Sequence, residues 1–104
     1  MAGRLEGRVA VITGGGHGIG KAYARGLAGE GAAVVIAELD GAAARAVAGS
    51  LVQEGAKAVA LETDVARWDS VEEMVRRAIE QFGRIDVLVN NAAIFATVPM
   101  SRAP

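Results

Sequence analysis

Cysteine is absent from this chain of 104 residues. A chain without thiols has no disulfide framework and no thiolate metal site, which fits a reducing cytoplasm. Aromatic residues make up only 4% of the sequence, so valine, isoleucine, leucine and alanine must build the core. The sequence therefore favours a cytoplasmic protein with an aliphatic core.

Excess positive charge and long apolar runs are also missing. The formal net charge is −1, so no basic excess indicates a nucleic acid or an anionic membrane as a partner. Residues 1–8 are charged and lack the apolar centre of a signal peptide. No apolar run reaches the ~20 residues that span a bilayer. We therefore expect neither nucleic acid nor membrane as a partner.

Apolar residues still make up 52% of the chain, which argues against disorder and predicts one domain over residues 1–104. Short apolar runs alternate with segments of helical periodicity. Strands are predicted at 8–13, 33–38, 56–62 and 85–89, and helices at 18–30, 41–54 and between Asp69 and Gly83. This alternation predicts an α/β fold with a parallel sheet in the order 3-2-1-4 and helices on both faces.

Two helix starts carry capping signals. Asp40 is the expected N-cap of the second helix. Asp69 with Glu72 forms a capping pattern for the third helix, whose apolar stripe includes Met74, Ala78 and Phe82. Trp68 is expected to pack near the start of that helix.

The first strand and the first helix are joined by a glycine-rich turn, Thr13-Gly14-Gly15-Gly16-His17-Gly18-Ile19-Gly20. Glycines let the backbone adopt positive φ and approach a ligand closely. A helix N-terminus offers free N–H groups and partial positive charge to a phosphate. The turn therefore predicts a cradle for the pyrophosphate of a dinucleotide, with a tight turn that binds nothing as the alternative.

Glu38 strengthens the cofactor interpretation. It follows the second strand, 18 positions after Gly20, where dinucleotide-binding folds place a carboxylate that accepts hydrogen bonds from the adenine ribose. A solvated charge at a strand end is the alternative, and Asp40 is the second candidate for the ribose. His17, the single histidine, has no histidine or cysteine to join it, so we expect an exposed loop side chain and no metal site.

Three motifs now carry a family resemblance. Thr13, Gly14, Gly18 and Gly20 match a Thr-Gly-x-x-x-Gly-x-Gly pattern with Ile19 in place. Asp64-Val65 follows the third strand, and Asn90-Asn91-Ala92-Ala93 follows the fourth. The chain resembles the N-terminal part of a short-chain dehydrogenase/reductase, although Ala93 replaces the usual glycine.

The resemblance implies a three-layer Rossmann-like sheet, truncated relative to the full doubly wound fold. It implies that Asp64 caps the adenine ring and that Asn90 lies near the cofactor ribose and helps to fix the central strand. The carboxylate of Glu38 would repel a 2′-phosphate, and the positions that often carry Arg or Lys in NADP-using members are Gly15, Gly16 and Leu39. We therefore expect NAD rather than NADP. The expected cofactor-binding residues are Gly14, Gly18, Ile19, Gly20, Glu38, Asp64, Val65, Asn90 and Ala92.

The family's catalytic serine and Tyr-x-x-x-Lys pair have no match in this sequence, since Tyr23 is followed four positions later by Leu27. No catalytic residue is assigned. The complete enzyme is expected to transfer hydride between the nicotinamide and an alcohol or carbonyl substrate. A non-catalytic dinucleotide-binding module and an inactive truncation are the alternatives. The apolar edge at 87–89 predicts a homo-oligomer.

Overall fold

The computed structural model describes residues 3–91 of the protein. Strands and helices alternate throughout this part of the chain. The elements in order are β1 (Val9–Thr13), α1 (Gly18–Gly29), β2 (Ala33–Glu38), α2 (Gly41–Gln53), β3 (Ala58–Glu62), α3 (Trp68–Phe82) and β4 (Val87–Asn90).

The four strands form one parallel sheet in the order β3-β2-β1-β4. Val11 of β1 pairs with Val35 of β2 on one side and with Leu88 of β4 on the other. The predicted strand order is confirmed. Because all strands are parallel, their carboxyl ends share one edge of the sheet.

Both faces of the sheet are covered, which confirms the three-layer α/β architecture. On one face, α1 and α2 pack on alternate residues of β1 and β2, with Ile12, Ile36 and Leu51 at the centre. On the other face, Met74 and Ala78 of α3 pack on Val11 and Val35. Burial of β1 on both faces explains why its sequence is apolar without alternation.

The expected cap at Asp40 is confirmed. Asp40 Oδ1 accepts a hydrogen bond from the N–H of Ala43 at 3.1 Å. The glycines that follow the three helices have left-handed φ angles of 95°, 95° and 83°, a conformation that ends a helix. These glycines are Gly31, Gly55 and Gly83.

The start of α3 differs from the prediction. The helix begins at Trp68 and its N-cap is Arg67, which makes no side-chain capping bond. Asp69 lies inside the first turn, where its Oδ1 accepts from the N–H of Ser70 at 2.9 Å. The Asp69–Glu72 capping box and the packing of Trp68 were therefore wrong, since the Trp68 side chain is 75% exposed.

β3 is also shorter than predicted, because the N–H of Ala56 bonds to the carbonyl of Leu51 and belongs to the end of α2. No helix in residues 3–91 is long and apolar enough to cross a membrane. Ala92, Ala93 and the tail lie outside the described residues, so a single domain over 1–104 stays a prediction.

Candidate functional site

The carboxyl edge of the sheet carries a groove of about 390 Å³. The turns that follow β1, β2 and β3 meet there with the end of β4. The residues that line the groove are Gly14, His17, Gly18, Ala37, Glu38, Leu39, Thr63, Asp64, Val65 and Asn91.

The glycine turn forms one wall of this groove. Gly14 and Gly18 have φ angles of 67° and 50°, which other residues rarely adopt. The N–H of Gly14 donates to the carbonyl of Ala37 at 2.8 Å, so the turn is fastened to the end of β2. A Cβ built on Gly18 would meet no described atom within 4 Å, so this position opens onto free space.

Two other glycines allow close packing. A Cβ on Gly20 would overlap the carbonyl oxygen of Gly14. A Cβ on Gly16 would lie 2.9 Å from Ala43 Cβ and 3.0 Å from Glu38 Cγ. The turn therefore sits directly against the first turn of α2, and no side chain fits between them.

The N-terminus of α1 is open to an anion. His17 is the N-cap residue, its backbone is extended, and its side chain makes no capping bond. The first turn of α1 contains no acidic residue. N–H groups in the first turn of a helix attract phosphate because they carry partial positive charge and lack partners in the helix.

Glu38 lies across the groove from α1, with both carboxylate oxygens held by backbone donors. Oε1 accepts from the N–H of Gly16 at 3.1 Å, and Oε2 accepts from the N–H of Asp40 at 3.2 Å. A carboxylate oxygen has a second lone pair, so each oxygen can still accept a ligand hydroxyl. The side chain is thus oriented but retains acceptor capacity.

Asp40 joins the glycine turn from the same side. Its Oδ2 lies 3.3 Å from His17 Nε2. The hydrogen bond from Ala43 holds the pKa of the Asp40 carboxyl below its ordinary value, and His17 adds to the lowering. Asp40 is therefore a charged cap whose second oxygen reaches His17.

The turn after β3 closes the other end of the groove. Asp64 Oδ1 accepts from the N–H of Ala66 at 3.0 Å, and the N–H of Asp64 donates to Ser70 Oγ at 2.9 Å. These bonds fix the Asp64-Val65 turn against the start of α3. Thr63 beside it is buried, and its hydroxyl donates to the carbonyl of Leu61 at 2.8 Å.

Thr13 connects the central strand with the end of β4. Its Oγ1 accepts from the N–H of Asn91 at 2.8 Å and lies 3.2 Å from Asn90 Oδ1, to which it donates. This contact joins Asn90 to the end of the central strand, and its role at a cofactor stays a prediction. Asn91, not Asn90, lines the groove.

The structure brings five of the expected cofactor residues to the groove, namely Gly14, Gly18, Glu38, Asp64 and Val65. Gly20 packs under the glycine turn, and the Ile19 side chain is 66% exposed. Ala92 lies outside the described residues. Sequence reasoning missed Thr63 and Asn91, although both directly follow strand ends that meet at this edge.

A larger depression, of about 630 Å³, lies at the opposite, amino edge of the sheet. Two of its cations already have acidic partners, since Arg25 pairs with Glu54 and Arg8 with Asp86. It contains neither the glycine turn nor a helix N-terminus from α1, so we place the candidate site in the smaller groove. Residues 3–91 contain no cluster of three or more potential metal ligands.

Comparison with known proteins shows the family of the chain. The short chain dehydrogenase family model matches residues 8–104. The chain therefore belongs to the short-chain dehydrogenase family, of which it represents the N-terminal part.

The relatives are longer than this chain. An uncharacterized oxidoreductase of Thermotoga maritima is 46% identical over 96% of this chain and 39% of its own length. Galactitol 2-dehydrogenase of Agrobacterium fabrum is 48% identical over 94% of this chain and 37% of its own. The chain thus spans less than two fifths of these curated relatives.

A solved structure shares the fold. A 7α-hydroxysteroid dehydrogenase, complexed with NADH and 7-oxo glycochenodeoxycholic acid, superposes with a TM-score of 0.84. It is 39% identical, and the match covers 86% of this chain and 35% of that protein. The described sheet is accordingly one part of the larger dehydrogenase fold.

Proposed function

We propose that the groove binds NAD, and that this chain is the cofactor-binding portion of an oxidoreductase acting on an alcohol or carbonyl compound. One observation carries the proposal. The open N-terminus of α1 and the glycine turn face a carboxylate, Glu38, that is already oriented by two backbone N–H groups. A pyrophosphate would bind at the glycine turn and the N-terminus of α1, and ribose hydroxyls would donate hydrogen bonds to Glu38.

The residues that would hold the cofactor can be grouped by the part of the dinucleotide that each would contact. Gly14, Gly18, Ile19 and Gly20 would surround the pyrophosphate, where a small backbone lets N–H groups approach. Asp64 and Val65 would receive the adenine ring. Asn90 and Ala92, which follow β4, are proposed near the cofactor ribose. The nicotinamide would supply hydride transfer once bound.

NAD is proposed over NADP on electrostatic grounds. The described groove has two carboxylates in its lining, Glu38 and Asp64. A 2′-phosphate next to Glu38 would bring two negative groups together in a partly desolvated place, which is unfavourable. The 7α-hydroxysteroid dehydrogenase and the Burkholderia phymatum relative were solved with NADH and NAD respectively, which supports a nicotinamide dinucleotide in this fold.

Substrate class and assembly are proposed from the relatives and from the sequence. Galactitol and a 7-oxo bile acid are an alcohol and a carbonyl compound, so we propose the same broad class here. A homo-oligomer is proposed because apolar side chains of α3 and β4 are exposed. The cytoplasm is proposed from the cysteine-free composition.

The chain offers a matched pair of carboxylates for the test. Glu38 and Glu62 are register partners at the ends of neighbouring strands, but only Glu38 lines the groove. Glu38→Gln and Glu62→Gln each remove one negative charge at the same edge. NAD and NADP binding are measured by calorimetric titration of the native protein and both variants.

Glu38→Gln should weaken NAD binding about ten- to hundredfold, since hydrogen bonds to a charged group contribute about 1.5–3 kcal/mol. It should also narrow the preference for NAD over NADP, because the repulsion of the 2′-phosphate is reduced. Glu62→Gln should bind as the native protein does. No dinucleotide binding at millimolar concentration would overturn the proposal, and equal effects of both variants would overturn the role of Glu38.

A further inference from the structure

A ring of contacts joins the glycine turn to the turn that follows β2. Glu38 Oε1 accepts from the N–H of Gly16, and its Oε2 accepts from the N–H of Asp40. Asp40 in turn reaches back with Oδ2 to His17 Nε2 at 3.3 Å. We call this ring, made by Gly16, His17, Glu38 and Asp40, the turn clasp.

The contacts of the turn clasp can form because the glycine turn and the turn after β2 lie against each other. Gly16 leaves no room for a side chain between the glycine turn and Ala43 or Glu38. His17 is then the first residue of the glycine turn whose side chain can cross to the opposite wall. Its extended backbone and lack of a capping bond leave the imidazole available for this purpose.

Asp40 transmits the contact to Glu38. Its side chain makes two contacts, since Oδ1 accepts from the N–H of Ala43 and Oδ2 lies 3.3 Å from His17 Nε2, within ion-pair distance when the imidazole is protonated. Its backbone N–H is the donor to Glu38 Oε2. The orientation of that N–H depends on the backbone of the β2–α2 turn, so contacts at both side-chain oxygens restrain the donor.

We infer that His17 is a positioning residue for the cofactor site, which acts through Asp40 to hold the Glu38 carboxylate in the orientation that reads a ribose 2′-hydroxyl. The inference rests on the proposed function, since it assigns a further residue to the same groove. The inference makes a prediction that the proposed function alone does not make. His17 should affect discrimination between a ribose and a deoxyribose ligand more than it affects overall binding.

AMP and 2′-deoxy-AMP are the probes, because they differ only in the hydroxyl that Glu38 would accept. Calorimetric titrations compare the native protein with His17→Leu, His17→Gln and Lys21→Leu. The glutamine can still donate to Asp40, whereas leucine cannot. Lys21→Leu is the control for charge, since it removes a cation one turn further along α1.

His17→Leu should weaken AMP by about two- to fivefold, the scale of an exposed ion pair, and should leave 2′-deoxy-AMP unchanged, so the affinity ratio of AMP to 2′-deoxy-AMP should fall by the same factor. His17→Gln should restore most of the ratio, and Lys21→Leu should leave it unchanged. If His17→Leu weakens both nucleotides by the same factor, His17 contacts the phosphate or nothing, and the inference is overturned.

A double-mutant cycle tests the route through Asp40. Asp40→Ser keeps an N-cap oxygen for Ala43 but has no second oxygen for His17. The double variant with His17→Leu should bind AMP no more weakly than the worse single variant. Multiplicative effects would show that the two residues act independently and would refute the clasp. No AMP binding by the native protein would instead overturn the proposed function, and the inference with it.

Discussion

At the scale of single residues, Asp86 fastens the start of β4 to the start of β1. Its Oδ2 accepts from the N–H of Val9 at 2.9 Å, and its Oδ1 accepts from Arg84 Nη2 at 2.7 Å. The Arg84 guanidinium, followed by the Val9 N–H, holds the pKa of Asp86 below its ordinary value of 3.8. A carboxylate with a lowered pKa stabilises the folded state above its unfolded pKa and loses this effect as pH falls through the folded value.

Asp86→Asn is therefore expected to destabilise the protein most at neutral pH. The amide oxygen can still accept from Val9, so the variant isolates the loss of charge. Urea unfolding from pH 7 down to pH 2 should show a constant gap between native protein and variant above about pH 4, the unfolded pKa of an aspartate. Below it the gap should close, because the unfolded state binds the proton first, and it should vanish once the folded carboxylate is protonated as well. A gap of constant size over this range would contradict the prediction.

Also at the scale of residues, the sequence could predict the role of a side chain where that role depends only on the neighbouring backbone. Asp40 was predicted as an N-cap because the requirements of a helix start are local. The ring that joins His17 to Asp40 could not be predicted, since it depends on how closely two turns approach across the sheet. Asn91 was missed for a similar reason. Alternation along β4 decides which of two adjacent asparagines faces the groove.

At the scale of elements, two of the four glycines in α1 have opposite requirements. Gly20 is buried, and a Cβ there would overlap the Gly14 carbonyl. Gly26 is exposed within the same helix, and a Cβ there would meet nothing within 4 Å. One glycine therefore serves the turn, whereas the other only lowers helix propensity.

Gly26→Ala should raise the free energy of unfolding by about 0.5–1 kcal/mol, because alanine loses less backbone entropy in a helix. Gly20→Ala should lower it by about 1–3 kcal/mol through overpacking and should disrupt nucleotide binding. Chemical denaturation and AMP titration of both variants provide the measurement. Equal stability changes at the two positions would contradict the assigned close approach at Gly20.

Element types and strand order followed from the sequence because buried parallel strands and helical stripes have distinct periods. The start of α3 did not, for a reason visible in its neighbours. The hydroxyl of Ser70 accepts a hydrogen bond from the N–H of Asp64, which ties the first turn of α3 to the turn after β3. The helix begins at Trp68, so Asp69 lies within its first turn and is not the N-cap.

At the scale of the whole molecule, β4 is an edge of the described sheet, since β1 is its only partner strand within residues 3–91. Leu88 of β4 is on the same face of the sheet as α3, but α3 leaves its side chain 63% exposed. Val75 and Ile79 of α3 are also exposed. A sheet edge with apolar side chains is a template for association with another chain.

We expect this edge to drive self-association of the 104-residue chain, and Leu88→Lys to shift the chain towards monomer, because a charged edge residue disfavours edge pairing. Val52→Lys is the matched control, as Val52 is similarly apolar and exposed but lies on α2, away from the edge. Sedimentation velocity over a range of protein concentrations measures both variants and the native chain. The native chain should sediment faster as concentration rises, Leu88→Lys should lose most of that dependence, and Val52→Lys should keep it. A native chain that stays monomeric at the highest concentration would contradict the prediction.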